Sequence, residues 1–270
     1  MIPSNASFKI RESFFWLIRI AFLAIGIDRE RRFTFLTPGF VVHQRILDRK
    51  TRSVIKVEIS SVSDLSTMVQ IFRREAYGIE RFNLGSGLNN QYQEIIESGK
   101  IPLILDLGGN TGLASVYFAR TYPLSHILLV EPDLDNLTLA KKNTSTEKVT
   151  LIEGAIGAFD GTGNLIDPLL GNDAYRIERN DHGGTRIYSI QSLLLQTNLS
   201  KYVPFIVKID IEGFELDLFG ANTHWVELFP LIIIELHDWL LPSSSTFLRA
   251  IAPLQRRFLH YGENIFSVKL

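Results

Sequence analysis

Short, mostly apolar runs recur along the middle of the chain. They lie at residues 104–107, 126–130, 149–152, 205–209 and 231–234. Runs of this length predict strands that are covered on both faces, because such strands do not alternate with polar positions. Residues 113–121 and 133–143, between the first three runs, are predicted to be helices. Strands that alternate with helices predict an α/β domain with a mostly parallel sheet.

The part of the chain before these runs has a different pattern. Residues 33–59 alternate enough between apolar and polar positions to predict short strands, and Gly85 to Gly87 predict a turn before a helix at 89–98. We therefore divide the chain into residues 1–85, a helix plus short strands forming a substrate or partner subdomain, and residues 86–270, the main domain. A chain of 270 residues that is 46% hydrophobic can fill one core and an appended piece.

Residues 14–27 are the most apolar stretch near the start of the chain, with Arg19 inside it and basic residues on both sides. The stretch is shorter than the roughly 20 residues that a membrane-spanning helix needs. We predict a buried helix or one that faces a partner, such as a second copy of the chain. The alternative is peripheral attachment to an anionic membrane through the apolar face and the flanking positive charges.

Composition excludes several kinds of chemistry. The formal net charge is −1 and no basic patch dominates, so nucleic acid is not the expected partner. The chain has no cysteine, which excludes disulfides, thiolate catalysis and cysteine zinc sites.

A glycine-rich turn follows the first run and opens the helix at 113–121. It consists of Asp106, Gly108, Gly109, Asn110 and Gly112. A turn of this kind predicts a βαβ unit that binds a nucleotide-like ligand, because glycine lets backbone approach a ligand and the helix start offers free N–H groups. The alternative is a turn that only packs the helix on the strand.

The details of this turn argue against a dinucleotide. Counted from Gly108, a dinucleotide site would have glycines where Asn110 and Leu113 stand, and the Gly-Lys-Ser/Thr of a phosphate-binding loop does not occur. The acid before the glycines, Asp106, instead suits a ligand that carries an ammonium and a sulfonium.

The ends of the next two strands predict the rest of this ligand site. Glu131 lies 19 residues after Gly112 at the end of the second strand, where an acid accepts the hydroxyls of a ribose. The alternative is an acid that begins the following helix, but Asp133 is better placed for that role. Gly154 and Ala155, after the third strand, are expected to border an adenine. Gly161 and Gly163 then predict a hairpin-like turn.

Acids and a histidine follow the fourth and fifth runs. Asp210 and Glu212 come after residues 205–209, and Glu235 and His237 come after residues 231–234. Ligands of open α/β sheets bind at the carboxyl ends of the strands, so these side chains are expected to share one crevice. Glu215 is explained well by a helix start, where acids stabilise the helix dipole.

Together these motifs resemble the FkbM family of S-adenosylmethionine-dependent methyltransferases. The resemblance rests on residues 106–112, 130–132, 207–213 and 235–237, in the family's order, and spans about residues 101–240. Gly109 stands where many members carry alanine. Residues 69–77 are similar to the family's helix before the core, whose tyrosine, here Tyr77, approaches the cofactor.

The resemblance implies a Rossmann-like class I methyltransferase fold with a mostly parallel seven-stranded sheet. It also implies S-adenosylmethionine as cofactor and O-methylation of a hydroxyl on a sugar, glycan or related natural product. A cytoplasmic location is expected because that cofactor is made there. Two alternatives stay open, a nicotinamide-dependent oxidoreductase and a non-catalytic protein that keeps the cofactor fold as a scaffold.

A hydroxyl acceptor must lose its proton as it attacks the methyl group, so a base is expected within hydrogen-bond reach. His237 is the first choice, because imidazole titrates near neutral pH, with Glu235 orienting it and Asp210 as the alternative base. No metal is expected, since dense aspartate pairs are lacking. The alternative is a divalent cation on Asp210, Glu212, Glu235 and His237, which would lower the pKa of the hydroxyl.

Residues 168–186 are polar and rich in turn-forming residues. Long irregular segments of this kind are often binding loops, and His182, Arg176, Arg179 and Arg186 make this one a predicted acceptor-binding loop. The alternative is disorder without function.

Overall fold

The computed structural model describes residues 31–82, 85–145, 147–166, 176–237 and 244–270. The chain divides into two compact units, Met1–Glu75 and Ala76–Leu270. Sequence analysis placed the division after residue 85, so the segment from Ala76 to that point belongs to the second unit. The apolar stretch at 14–27 lies outside the described residues.

The first unit carries a small antiparallel sheet, and this confirms the short strands predicted at 33–59. Its strands pair in the order β1 (Phe33–Phe35), β2 (His43–Asp48) and β3 (Ser53–Glu58). Helix α1 (Val62–Met68) follows and continues as a π-helical turn to Arg73. Ser61 and Asp64 begin α1 with reciprocal side-chain to backbone hydrogen bonds, which satisfy N–H groups that a helix start leaves unpaired.

The second unit alternates strands and helices. After a 3-10 turn (Glu80–Phe82), its elements in chain order are α2 (Gly85–Glu97), β4 (Ile101–Leu107), α3 (Leu113–Thr121), β5 (His126–Glu131), α4 (Leu134–Asn143), β6 (Val149–Glu153), β7 (Ala155–Gly157), β8 (Gly161–Ile166), β9 (Arg176–Arg179), β10 (Thr185–Ser189), α5 (Ile190–Gln196), β11 (Tyr202–Ile209), α6 (Glu215–Leu218), a 3-10 helix (Thr223–Leu228), β12 (Leu231–Glu235), α7 (Ser244–Ile251), β13 (Arg256–Tyr261) and β14 (Asn264–Lys269).

A seven-stranded sheet with the order β13-β14-β12-β11-β4-β5-β6 forms the centre of this unit. Its neighbours pair in parallel except at β14, which is antiparallel to both β12 and β13. The predicted Rossmann-like, mostly parallel seven-stranded sheet of a class I methyltransferase fold is therefore confirmed. The carboxyl ends of β4, β5, β11 and β12 all lie at one edge of this sheet, because parallel strands point the same way.

The central strands are buried on both faces, as their unbroken apolar runs predicted. In β12, for example, Leu231 to Ile234 are at most 1% exposed. Helix α4 begins after Asp133, whose carboxylate accepts the backbone N–H of Asn136, and this confirms Asp133 as the acid that begins the helix.

A second sheet, with the order β7-β10-β8-β9, corrects two predictions. Gly161 and Gly163 were expected in a turn, but they lie in β8, and part of the predicted loop at 168–186 forms β9 and β10. Gly163 allows close strand contact here, because a Cβ atom would lie 2.7 Å from the carbonyl oxygen of Glu178. Glycine is common in turns, but it also occurs within sheets where two backbones approach closely, so glycine content alone did not distinguish the two.

The glycines at Gly85 and Gly87 were also predicted to form a turn, but they lie in the first turn of α2. Leu88 and Tyr92, four residues apart on this helix, are both buried. Their contact with the rest of the unit stabilises a helix that local propensity disfavours.

Among the described residues, no helix combines the length and apolar character that crossing a membrane requires.

The glycine-rich turn between β4 and α3 packs tightly against the rest of the unit. A Cβ atom on Gly109 would lie 2.6 and 2.8 Å from the two methyl carbons of Leu129 on β5, and one on Gly112 would lie 3.2 Å from Ala140 on α4. Close packing of the turn against β5 and α4 therefore explains Gly109 and Gly112, as the alternative to ligand binding predicted.

We expect Gly109→Ala to destabilise the protein by about 1–3 kcal/mol, because the added methyl group overpacks against Leu129. Leu129→Ala would make room for it, so the two substitutions combined should cost less than the sum of their separate effects, by about 1 kcal/mol. Urea unfolding of the four proteins measures this coupling. Gly87→Ala is the control, since no atom lies within 4 Å of its Cβ position. Additive effects of Gly109→Ala and Leu129→Ala would contradict the packing.

Candidate active site

The carboxyl ends of β4, β11 and β12 bring charged side chains together. The group, called the strand-end cluster below, consists of Asp106, Lys208, Asp210, Glu212, Glu215, Glu235 and His237. The expected convergence of Asp210, Glu212, Glu235 and His237 is therefore observed. The cluster contains five carboxyl groups but only two basic side chains, Lys208 and His237, so it has an excess of negative charge.

Lys208 lies at the centre of the β4 side of this cluster. It is 3% exposed and pairs in register with Asp106, so the two side chains lie on the same side of the sheet. Its ammonium donates to the carbonyl oxygen of Gly108 at 2.7 Å and lies 3.3 Å from Asp106 Oδ1 and 3.4 Å from Asp210 Oδ2. Burial alone would lower the pKa of Lys208, but the carboxylates of Asp210 and Asp106 outweigh it and raise that pKa.

Asp106, predicted to contact the ligand, is fully buried beneath the glycine turn. Its Oδ2 accepts a hydrogen bond from Ser115 Oγ at 2.7 Å, while Oδ1 faces Lys208. Oδ1 is buried and, among the described residues, has this ion pair but no hydrogen bond.

Lys208 was not among the site residues predicted from the sequence. A signal was present, because a lysine inside a buried strand needs a charged partner, and Asp210 lies two residues later on the same face. The second partner, Asp106, lies 102 positions earlier (208 − 106) and is brought into contact only by the pairing of β11 with β4.

His237 is surrounded by carboxylates. Its Nδ1 lies 3.0 Å from Glu215 Oε1, whereas its Nε2 lies 3.4 Å from Glu212, 3.7 Å from Glu235 and 3.9 Å from Asp210. The expectation that Glu235 orients this ring was wrong, because Glu215 makes the hydrogen bond. Glu215 begins α6, as the helix-start interpretation predicted, and its side chain also turns inward, where it is 4% exposed.

The charge state of His237 follows from these neighbours. Burial would lower its pKa, but the hydrogen bond with Glu215 and the charges of Glu212, Glu215 and Asp210 raise it to about 9. The ring is therefore protonated at neutral pH in this arrangement and cannot accept a proton. Glu235 has a pKa raised to about 7 by burial and by the charge of Asp210, so it exchanges protons near neutral pH.

Three members of the strand-end cluster have the geometry of a cation site. One ligand atom each from Asp210, Glu212 and His237 lie within 4.8 Å of one another, and no other such group is found among the described residues. Glu235, the fourth ligand expected for this alternative, is not part of that group.

Glu131 lies at the end of β5, next to the glycine turn. Its Oε2 accepts the N–H of Asn110 at 2.8 Å and its Oε1 accepts the N–H of Asp133 at 3.0 Å. The side chain of Asn136 also hydrogen-bonds to this carboxylate. Three of its roughly four acceptor positions therefore have protein partners, which leaves capacity for one ribose hydroxyl. Burial raises its pKa to about 7, although these backbone hydrogen bonds act in the opposite direction.

Asn110 and Gly108 give the glycine turn its shape. Asn110 has a positive φ of 46°, and its side-chain oxygen is buried with no hydrogen-bond partner among the residues that the structure describes. Gly108 has a φ of 70°, and a Cβ atom there would collide with the carbonyl oxygen of Asp210. The turn thus lies directly against the start of the loop that follows β11.

The remaining predicted cofactor residues lie at different depths. Gly154 is buried against β10, where a Cβ atom would lie 2.7 Å from the carbonyl oxygen of Arg186, and Ala155 is 6% exposed and pairs with Ile187. Tyr77 stacks on Phe118 with ring centroids 5.3 Å apart. Burial raises the pKa of Tyr77, and the charges of Lys208 and Asp210 also act on it, so it lies beside the cluster.

Two of the basic residues of the predicted acceptor loop have protein partners for their side chains. Arg179 makes a two-pronged ion pair with Asp217 on α6, and Arg186 lies 4.6 Å from the ring centroid of Tyr188. Arg176 is on β9, and the backbone N–H of His182 donates to Asn180. The residues at 167–175 lie outside the described part.

Comparison with known proteins gives one distant relative of curated function. The chain is 22% identical over 161 residues to the hexuronic acid methyltransferase AglP of Haloferax volcanii. The match covers 58% of this chain and 65% of that protein, so it spans less than two thirds of the relative. No protein-family model matches, and the resemblance to the FkbM family stays a prediction.

Solved structures with a similar arrangement include a methyltransferase from Geobacter sulfurreducens, at 16% identity and a TM-score of 0.37, covering 76% of this chain and 87% of that one. A putative caffeoyl-CoA O-methyltransferase from Staphylococcus aureus is similar at 14% identity and a TM-score of 0.37, covering 68% and 83%. At these identities and scores, the likenesses carry no conclusion about function.

We expect Glu131→Gln to change how stability depends on pH. The folded-state pKa of Glu131, about 7, lies above its ordinary value of 4.5, so its ionisation destabilises the fold as pH rises through 7. The difference in the free energy of unfolding between the variant and the native chain should therefore shift in favour of the variant, on the order of 3 kcal/mol, when the pH is raised from 5 to 8. Urea unfolding at both pH values measures this, and an equal difference at the two would contradict it.

We expect Glu215→Gln to lower the pKa of His237 from about 9 by about one unit. The glutamine can still accept the hydrogen bond from His237, but the negative charge of the carboxylate is lost. The stabilisation by protonated His237 is complete below its ordinary pKa of 6.5 and is lost as pH rises through 9. Histidine NMR titration with a chelator present gives the midpoint. The matched control is Glu94→Gln on α2, which should leave it unchanged. A native-like midpoint in Glu215→Gln would show that the other carboxylates suffice.

Proposed function

We propose that this chain is an S-adenosylmethionine-dependent O-methyltransferase that acts on a hydroxyl of a sugar or glycan. The observation that carries the proposal is the strand-end cluster, whose excess negative charge lies beside the glycine turn and Glu131, the acid expected to bind a ribose. S-adenosylmethionine has a sulfonium and an ammonium against one carboxylate, so its net charge is positive and suits this cluster. The relative that acts on a hexuronic acid supports a sugar acceptor.

The residues at the turn fit this cofactor. Glu131 would accept a ribose hydroxyl with its remaining acceptor position, and the unpartnered Oδ1 of Asn110 would accept a hydrogen bond from the ammonium. The first N–H groups of α3 are available for the carboxylate of the cofactor. Gly154 and Ala155 would border the adenine, and Tyr77 would lie beside the methionine portion.

The bound cofactor would supply a methyl carbon that its sulfonium already activates, so the protein must mainly orient the acceptor and take its proton. His237 was expected to be the base, but with its pKa raised to about 9 it would instead act as a hydrogen-bond donor at neutral pH. Glu235, with a pKa of about 7, is the better base, because its pKa matches the working pH. Asp210 raises that pKa, and His237 would donate a hydrogen bond to the acceptor oxygen.

A divalent cation is the second way to activate the acceptor. Asp210, Glu212 and His237 would hold it, and the cation would displace the proton from His237 and lower the pKa of a bound hydroxyl. Methyl transfer measured after chelation, and again after magnesium or manganese is restored, separates this scheme from the one in which Glu235 acts alone.

Charge also separates the proposal from the nicotinamide alternative, because the strand-end cluster would repel a pyrophosphate. Titration calorimetry should therefore detect S-adenosylmethionine and S-adenosylhomocysteine but not NAD. Glu131→Gln should weaken the binding of S-adenosylmethionine by about tenfold or more, since it removes a charged acceptor from the ribose. Asp135→Asn, an exposed acid on α4, is the control and should leave the affinity unchanged.

Binding of NAD, or an unchanged affinity in Glu131→Gln, would overturn this assignment. If the cofactor binds, transfer of a radiolabelled methyl group to a panel of hexuronic acids, neutral sugars and their glycosides tests the acceptor class. Cofactor binding with no transfer to any sugar would favour another acceptor or a scaffold protein.

A further inference from the structure

We propose that Lys208 is a positioning residue of the methyl-transfer site, which holds the glycine turn and Asp210 in a fixed arrangement for cofactor binding. This role rests on the proposed function. Lys208 has three N–H donors, and they face three acceptors on three segments: the carboxylate of Asp106 on β4, the carbonyl of Gly108 in the turn, and the carboxylate of Asp210 after β11.

The contact with Gly108 is the part that reaches the cofactor. Gly108 has a left-handed backbone, and its carbonyl accepts a hydrogen bond from Lys208, whereas the N–H of the next residue, Gly109, donates to the carbonyl of Val130 on β5. The N–H of Asn110 donates to Glu131 at 2.8 Å. Lys208 therefore fixes one end of a turn whose other end positions the ribose-binding acid.

The contact with Asp210 orients the other side of the site. Asp210 Oδ2 faces Lys208 while its Oδ1 lies 3.9 Å from His237 Nε2. The backbone N–H of Asp210 also donates to the carbonyl of Leu107, at the end of β4. The side chain of Asp210 thus lies between the ammonium of Lys208 and the ring of His237, which follows β12.

A neutral side chain of the same shape would keep the packing but lose all three contacts. The chain contains no cysteine, so Lys208→Cys supplies a unique thiol. Alkylation in urea with 2-bromoethylamine restores an ammonium at the lysine position, whereas 1-bromopropane gives an uncharged side chain of matched length. Native chain taken through the same unfolding and refolding steps is the control for recovery.

We expect the aminoethyl protein to bind S-adenosylmethionine within about threefold of the native chain, and the propyl protein to bind it at least about tenfold more weakly. Calorimetry of the refolded proteins gives both affinities. A packing role alone would leave the two alike, and equal affinities would overturn the proposal. If the native chain itself binds no S-adenosylmethionine, the proposed function fails, and the role of Lys208 in it fails as well.

A second comparison covers the case in which the propyl protein does not refold. Asp106→Asn with Lys208→Met removes both members of the buried ion pair, so no buried charge is left without its partner. This double variant should bind S-adenosylmethionine at least about tenfold more weakly than Asp106→Asn alone, because only the former lacks the contact with Gly108. Equal affinities in these two proteins would also overturn the proposal.

Discussion

The geometry of the site depends on the contacts of the buried Lys208 ammonium. It joins β4, the glycine turn and the loop after β11 through a carboxylate, a carbonyl and a second carboxylate. A buried ion pair is retained at a high desolvation cost, and breaking it by removal of one partner leaves an uncompensated charge. The three segments that meet at Lys208 are therefore constrained to one arrangement.

Around this point the site has more negative than positive charge, and that excess determines the behaviour of its titratable groups. The carboxylates near His237 raise the pKa of its ring to about 9, and burial with the nearby Asp210 raises the pKa of Glu235 to about 7. At neutral pH the ring of His237 is therefore mostly protonated, whereas the carboxyl group of Glu235 exchanges protons in this range. A cationic ligand, whether a sulfonium nucleoside or a divalent ion, would relieve the repulsion among the carboxylates.

Much of the fold was predictable because burial on both faces leaves a strong local pattern. The unbroken apolar runs identified the parallel strands, and the acids that directly follow β11 and β12 had to share one edge of the sheet. The errors came from residues whose local preference serves more than one structure. Gly161 and Gly163 suit a turn, but they also permit the close strand contacts of β8, and Gly85 and Gly87 lie in a helix that buries Leu88 and Tyr92.

The sequence by itself determined the five parallel strands of the central sheet, the helices between the first three of them and the set of acids at the strand ends. These follow from hydrophobic periodicity and from the common direction of parallel strands. Only the tertiary structure decided that Glu215 rather than Glu235 orients His237, and that Lys208 pairs with both Asp106 and Asp210. Those partnerships depend on strand register and side-chain direction between residues far apart in the chain. The charge state of His237 depends on them in turn, since a pKa is set by the distances to neighbouring charges and by burial.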